Sequence, residues 1–137
     1  MDLDQRQVAL IIARARAING LVLLLVPGIA ARLIFGKAGR NPVVRATLRL
    51  AGVRDVVLGI GAITTLKERT MDAEWVGMGA VADLVDGAVL AFTPGVGTRA
   101  RLASVAGWSA GTIGYVLSRG LADSRVEVEV DVEVIEG

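Results

Sequence analysis

The stretch Val43-Val-Arg-Ala-Thr-Leu-Arg-Leu-Ala-Gly52-Val-Arg54-Asp55-Val-Val-Leu-Gly59-Ile-Gly-Ala-Ile-Thr-Thr-Leu66 decides how the chain is read. It holds no proline and is far longer than a strand, so it is a helix. Its length of 24 residues spans a hydrocarbon core of roughly 30 Å at about 1.5 Å per residue. Its midpoint nevertheless carries an arginine and an aspartate side by side. A membrane helix with a charged centre needs partners for those charges, and the rest of the chain has to supply them.

Three further apolar stretches flank it. One runs from about Val8 to Val26 and stops at Pro27-Gly28, because proline interrupts the helical ladder. A short amphipathic piece, Ile29 to Phe35, follows and ends at Gly36; Lys37 to Pro42 reads as a basic loop, with Asn41-Pro42 as a helix start. Beyond a polar loop over Lys67–Asp72, a third stretch covers about Ala73 to Phe92, and a fourth about Arg101 to Leu117. The expected fold is all-α: a four-helix transmembrane bundle over residues 1–122, with helices near 8–26, 43–66, 73–92 and 101–118. Residues 123–137 form a separate tail. A first span shifted to Ala17–Phe35 is the alternative placement.

Composition agrees with a multi-pass protein of the cell membrane. Of 137 residues, 53% are hydrophobic, and the mean hydropathy is +0.59, above the soluble norm. Because 21% are charged, a soluble helical bundle is the competing architecture. The net charge of +1 gives no field directed at nucleic acid. Arginine outnumbers lysine thirteen to two, a usage typical of high-GC bacterial genomes. The chain has no cysteine and no histidine. That excludes disulfides, thiolate nucleophiles, Ser-His-Asp chemistry and histidine- or cysteine-bound metals, and no cofactor is expected. The charged N-terminal residues do not resemble a cleavable signal.

Antiparallel neighbours bring the midpoints of the second and third helices, near Arg54-Asp55 and Asp83, to one depth. The midpoint of the first falls near Arg16. Arg14, Arg16 and Arg54 then balance Asp55, Asp83 and Asp86. Left facing lipid, six such charges would cost on the order of 15–20 kcal/mol, so they are expected inside the bundle. Arg16 shares a face with Asn19, Gly20 and Leu23 and is preferred over Arg14 as the inward residue. The candidate site is therefore the intramembrane network Arg16, Arg54, Asp55, Asp83 and Asp86. It acts either as a salt-bridge network fixing helix register or as a polar site for a proton, a cation or a small ligand.

Other patterns are weaker. Arg32, Lys37, Arg40, Arg45 and Arg49 form a basic cluster, read as topology-setting charges or as a site for an anionic headgroup. Counting lysine and arginine on the two sides gives seven against seven and leaves orientation open. Small residues at four-residue spacing, Ala103, Gly107 and Gly111, suit close packing within the bundle or a homo-oligomer contact. Gly52, Asp55, Gly59 and Ala62 share one face of the second helix, and Gly79, Asp83, Asp86 and Gly87 one face of the third. Trp75 and Tyr115 are candidate interface anchors. In the tail, valines at 126, 128, 130, 132 and 134 alternate with acids at 127, 129, 131 and 133. Such a period of two suits a strand pairing with another copy of the chain or with a protein partner's sheet edge, or an unordered segment.

With these residues in view, the chain resembles the small four-helix membrane proteins common in actinobacteria and also seen in fungi. The likeness rests on Arg16-Ala-Ile-Asn-Gly20, Pro27-Gly-Ile-Ala-Ala-Arg32 with Phe35-Gly36, Gly52-Val-Arg-Asp55 with Gly59, and Asp83-x-x-Asp86, over about residues 8–120. A more distant likeness, in topology alone, is to DoxX-like membrane proteins. The resemblance implies membrane location and four helices, and it carries no reaction. The expected function is a non-enzymatic membrane subunit or scaffold. The alternative is a small transporter or proton-coupled carrier using the midplane carboxylates, and a lipid-active enzyme is the weakest reading.

Overall fold

Backbone dictates the helix boundaries in the computed structural model, which describes residues 4–136, with side chains described for residues 4–125. Asp4 caps α1 (Gln5–Leu25), its carboxylate accepting from the Arg6 amide at 3.2 Å. Pro27 drives Val26 out of helical geometry, to φ −125° and ψ 49°, and so ends α1. The same proline starts α2 (Pro27–Phe35), where its missing N–H costs nothing. Gly36, at φ 59°, stops α2, a conformation glycine adopts without strain. A 3-10 turn over Gly36–Arg40 leads to Asn41, whose side chain caps α3 (Pro42–Glu68) by accepting from the Val43 amide at 2.9 Å. Left-handed Arg69 and Met71 form the corner into α4 (Asp72–Phe92), and α5 covers Thr98–Glu136.

Three expectations change at this level. The amphipathic piece after Pro27 is a helix of its own, so the chain has five α-helices among the described residues rather than four. The break at Val26 also rules out a continuous first span over Ala17–Phe35. The alternating tail, expected as a strand or an unordered segment, continues α5 as helix to Glu136. No strand occurs among the described residues to receive a strand there, and extending an existing helix adds a hydrogen bond per residue without a new nucleus.

The long helices associate as two pairs, α1 along α3 and α4 along α5, with a looser seam between the pairs. Small residues set the close approaches. The face of α3 set against α1 buries Gly52, Asp55, Gly59, Ala62 and Leu66, the expected face extended by one turn. Gly59 lies against Ala13 and Ala17 of α1, and Gly61 receives the ring of Trp75. Trp75 is therefore half-buried, with its ring packed against α3. Gly107 and Gly111 sit against Asp83, Gly87, Ala80 and Leu84 of α4 in the same chain. One end of the seam is closed by Ala9, Ala13, Ala62, Leu66, Ala73, Val76 and Leu121.

Size is distributed inside out. Among the described residues the buried hydrophobic ones are alanines apart from Leu66, Val76 and Leu121, while twenty-five large hydrophobic side chains are exposed. Water-soluble folds place their large aliphatics in the core. Among the described residues two helices, α1 and α4, are long and apolar enough to cross a membrane. Of the four expected spans, these two meet that test. Every 18-residue window of α3 keeps at least three of its charged residues, and the uncharged Leu102–Ser118 of α5 is diluted by serine, glycine and threonine.

Candidate functional site

The five residues singled out at the centre of the sequence meet at one level of the bundle. Arg16 on α1 pairs with Asp83 on α4 through both terminal nitrogens, and it also donates to the Gly79 carbonyl at 3.1 Å. Gly79 has no side chain, and a Cβ there would lie 3.1 Å from the guanidinium. Arg54 on α3 grips Asp86 on α4 with two bonds of 2.9 and 2.5 Å. Both of these pairs cross the seam, so they tie one helix pair to the other.

Asp55 is placed differently. It is 7% exposed and is shared: Arg54 donates to it at 3.2 Å, Arg16 stands 3.6 Å away, and the Asn19 amide donates at 3.4 Å. Each arginine is already engaged by a carboxylate of α4, so Asp55 takes what remains. Arg14, expected among the balancing charges, is exposed and has no acidic partner among the described residues. Helix geometry settles this: at about 3.6 residues per turn, a residue two positions from Arg16 lies on another face. The network accordingly holds three carboxylates against two guanidinium groups. With all five ionised its charge is −1.

These groups border an open cleft of about 320 Å³ between the two helix pairs, on the side of the network away from the alanine cluster. Asn19, Asp55, Asp83 and Asp86 give it a polar wall, and Leu23 and Leu90 an apolar one. Ile34 and Phe35 at the end of α2 also line it. Among the described residues no cluster of acidic side chains is arranged to hold a metal ion.

A second charged cluster was not anticipated. Asp72, 1% exposed, receives Arg6 at 2.7 Å and Arg125 at 2.6 Å, and Arg125 also reaches Glu74 at 3.3 Å. Asp72 first, with Glu74 behind it, holds the Arg125 guanidinium above its ordinary value. The signal was present in composition: α1 carries Arg6, Arg14 and Arg16 with no acid, while α4 carries Asp72, Glu74, Asp83 and Asp86 with no base. Every acid of α4 is ion-paired.

The basic cluster divides. Arg32, Arg45 and Arg49 gather around a surface cleft beside Pro27 and Gly28, whereas Lys37 and Arg40 lie on the exposed 3-10 turn outside it. No family model, curated protein or solved structure matches the chain.

Proposed function

We propose that the chain is a four-pass membrane protein in which Asp55 and the cleft beside it bind a small organic cation in exchange for a proton. The membrane reading rests on the inside-out distribution of side-chain size, which water would penalise and lipid favours. It extends to α3 and α5 because both pack alongside α1 and α4 and expose large aliphatics such as Val53, Val57, Ile60, Val105, Ile113 and Val116. The midpoint charges of α3 do not count against it, since they are turned into the network. The resemblance to the small actinobacterial membrane proteins belongs with this proposal and implies the same location.

The observation that carries the functional part is the uneven count of charges. Three carboxylates meet two guanidinium groups at the wall of an open cleft. An uncompensated negative charge in a low-dielectric interior is costly. A proton on one carboxylate or a cation in the cleft neutralises it, and the two exclude each other. That exclusion is the physical condition for proton-coupled exchange. Asp55 carries the surplus because its contacts are longer and shared, whereas Asp83 and Asp86 each have an arginine of their own. The scaffold role assigns the same network to holding helices together, and one variant separates the two.

Asp55→Asn removes the surplus charge and leaves both cross-seam ion pairs intact. Purified protein is titrated with tetraethylammonium and other alkylammonium ions in weakly buffered detergent, with a pH-sensitive dye. Binding with proton release in the wild type, absent from a folded Asp55→Asn, is the expected result. An Asp55→Asn protein that unfolds, or wild-type protein that binds no cation and releases no proton, would leave the network with a structural role only.

A further inference from the structure

The half of the molecule that holds α2 has an unbalanced surface. Between Ile29 and Leu50, and again between Thr93 and Leu102, the sequence contains seven arginines and lysines and no acid. The opposite end, by contrast, mixes Arg6, Lys67, Arg69, Arg119 and Arg125 with Asp4, Glu68, Asp72, Glu74 and Asp123. Within the basic end three arginines converge. Arg32 of α2 and Arg45 and Arg49 of α3 border a surface cleft of about 350 Å³, together with Pro27 and Gly28.

Two of these arginines are held in place by backbone. Arg45 donates from Nε to the Gly39 carbonyl at 3.3 Å, and Arg49 from Nε to the Leu24 carbonyl at 3.4 Å. Tethering through Nε fixes each guanidinium and leaves its terminal nitrogens pointing at no acceptor among the described residues. None of the three has a carboxylate partner there either. Fixed forks of this kind suit the oxygens of a phosphate. The surroundings narrow the source of that phosphate: Leu25 and Ile29, which line the cleft, are 71% and 61% exposed. A free anion gains nothing from such side chains, whereas an acyl chain covers them.

We propose that this cleft holds the phosphate of an anionic phospholipid, with α2 lying in the interface and its exposed aliphatics against the acyl chains. The proposal rests on the membrane reading and is independent of cation exchange at Asp55. It also sets orientation: the α2 end faces the leaflet that carries anionic lipid, the cytoplasmic one.

The experiment has two stages. Membranes are first fractionated; chain that stays in solution after high-speed centrifugation without detergent overturns the membrane reading itself. Detergent-purified full-length protein is then titrated with short-chain phosphatidylglycerol, phosphatidylcholine and inorganic phosphate, and the thermal midpoint is followed by tryptophan fluorescence. Phosphatidylglycerol is expected to raise the midpoint, with phosphatidylcholine and phosphate having little effect. The triple variant Arg32→Gln, Arg45→Gln, Arg49→Gln should bind it about a hundredfold more weakly. Arg99→Gln with Arg101→Gln, on the same end but outside the cleft, should retain it. Equal losses in both variants would reduce the effect to a diffuse basic surface, and equal stabilisation by inorganic phosphate would make the site one for a free anion. Either result overturns the lipid assignment while the membrane reading stands.

Discussion

Gly20 of α1 and Gly52 of α3 face each other so closely that a Cβ on either would lie 2.7 Å from the other's carbonyl oxygen. Nothing flexible is available to move aside, since the obstacles are backbone atoms. This contact sets the spacing of the first helix pair one turn from Arg16 and Asp55, and thereby the reach of Arg16 across the seam. Gly20→Ala and Gly52→Ala should each destabilise the fold by about 1–3 kcal/mol. Unfolding in mixed micelles would measure it, and an unchanged midpoint in both variants would show that the helices can part at this contact without cost.

Arg16 and Asp83 are 11% and 17% exposed as side chains, so removing one leaves the other's charge buried. Arg16→Leu should cost about 3–5 kcal/mol, and the double variant with Asp83→Leu much less than the sum of the singles. A double-mutant cycle in the same micelle assay tests this. Additive losses would mean that the two side chains do not depend on one another.

Asp72 joins α1, α4 and α5 through Arg6 and Arg125. Asp72→Asn keeps the volume and loses both charged bonds, so a loss of about 1.5–3 kcal/mol is expected. Protease sensitivity near the α3–α4 corner should rise with it. An unchanged cleavage pattern would show that packing of Leu66 and Leu121 alone holds this end.

Arg125 yields a prediction in pH. Its ionisation is raised above the ordinary arginine value, so whatever it contributes is fully present below that value and fades only as pH rises past it. The stability difference between wild type and Arg125→Gln should accordingly be the same at pH 6 and pH 9. A difference that shrinks across this window would assign the tie to another group.

How much of this was legible beforehand varies by residue. The packing face Gly52-Asp55-Gly59-Ala62 of α3 was readable because small and polar residues recur at helical spacing. Arg16 was separable from Arg14 because two positions on a helix cannot share a face. The Asp72 cluster was overlooked because Arg6 and Asp72 lie at helix ends, where charges are ordinarily solvated, and because Arg125 was assigned to the separate tail. Its trace was the sign asymmetry between α1 and α4. The tail misled because period-two alternation in β-branched residues reports a preference that needs a neighbouring strand to be expressed.

By itself the sequence determined the helical class, the position of the breaks at Pro27 and Pro42, the excess of apolar residues and the presence of charges near the helix midpoints. These follow from covalent geometry and local periodicity. The stoichiometry of the network was decided only in three dimensions. Which arginine reaches which carboxylate depends on helix pairing and on glycine-set distances between elements remote in the chain. For that reason three balancing charges against three became two against three, with Arg14 outside the network and Asp55 shared between Arg16 and Arg54.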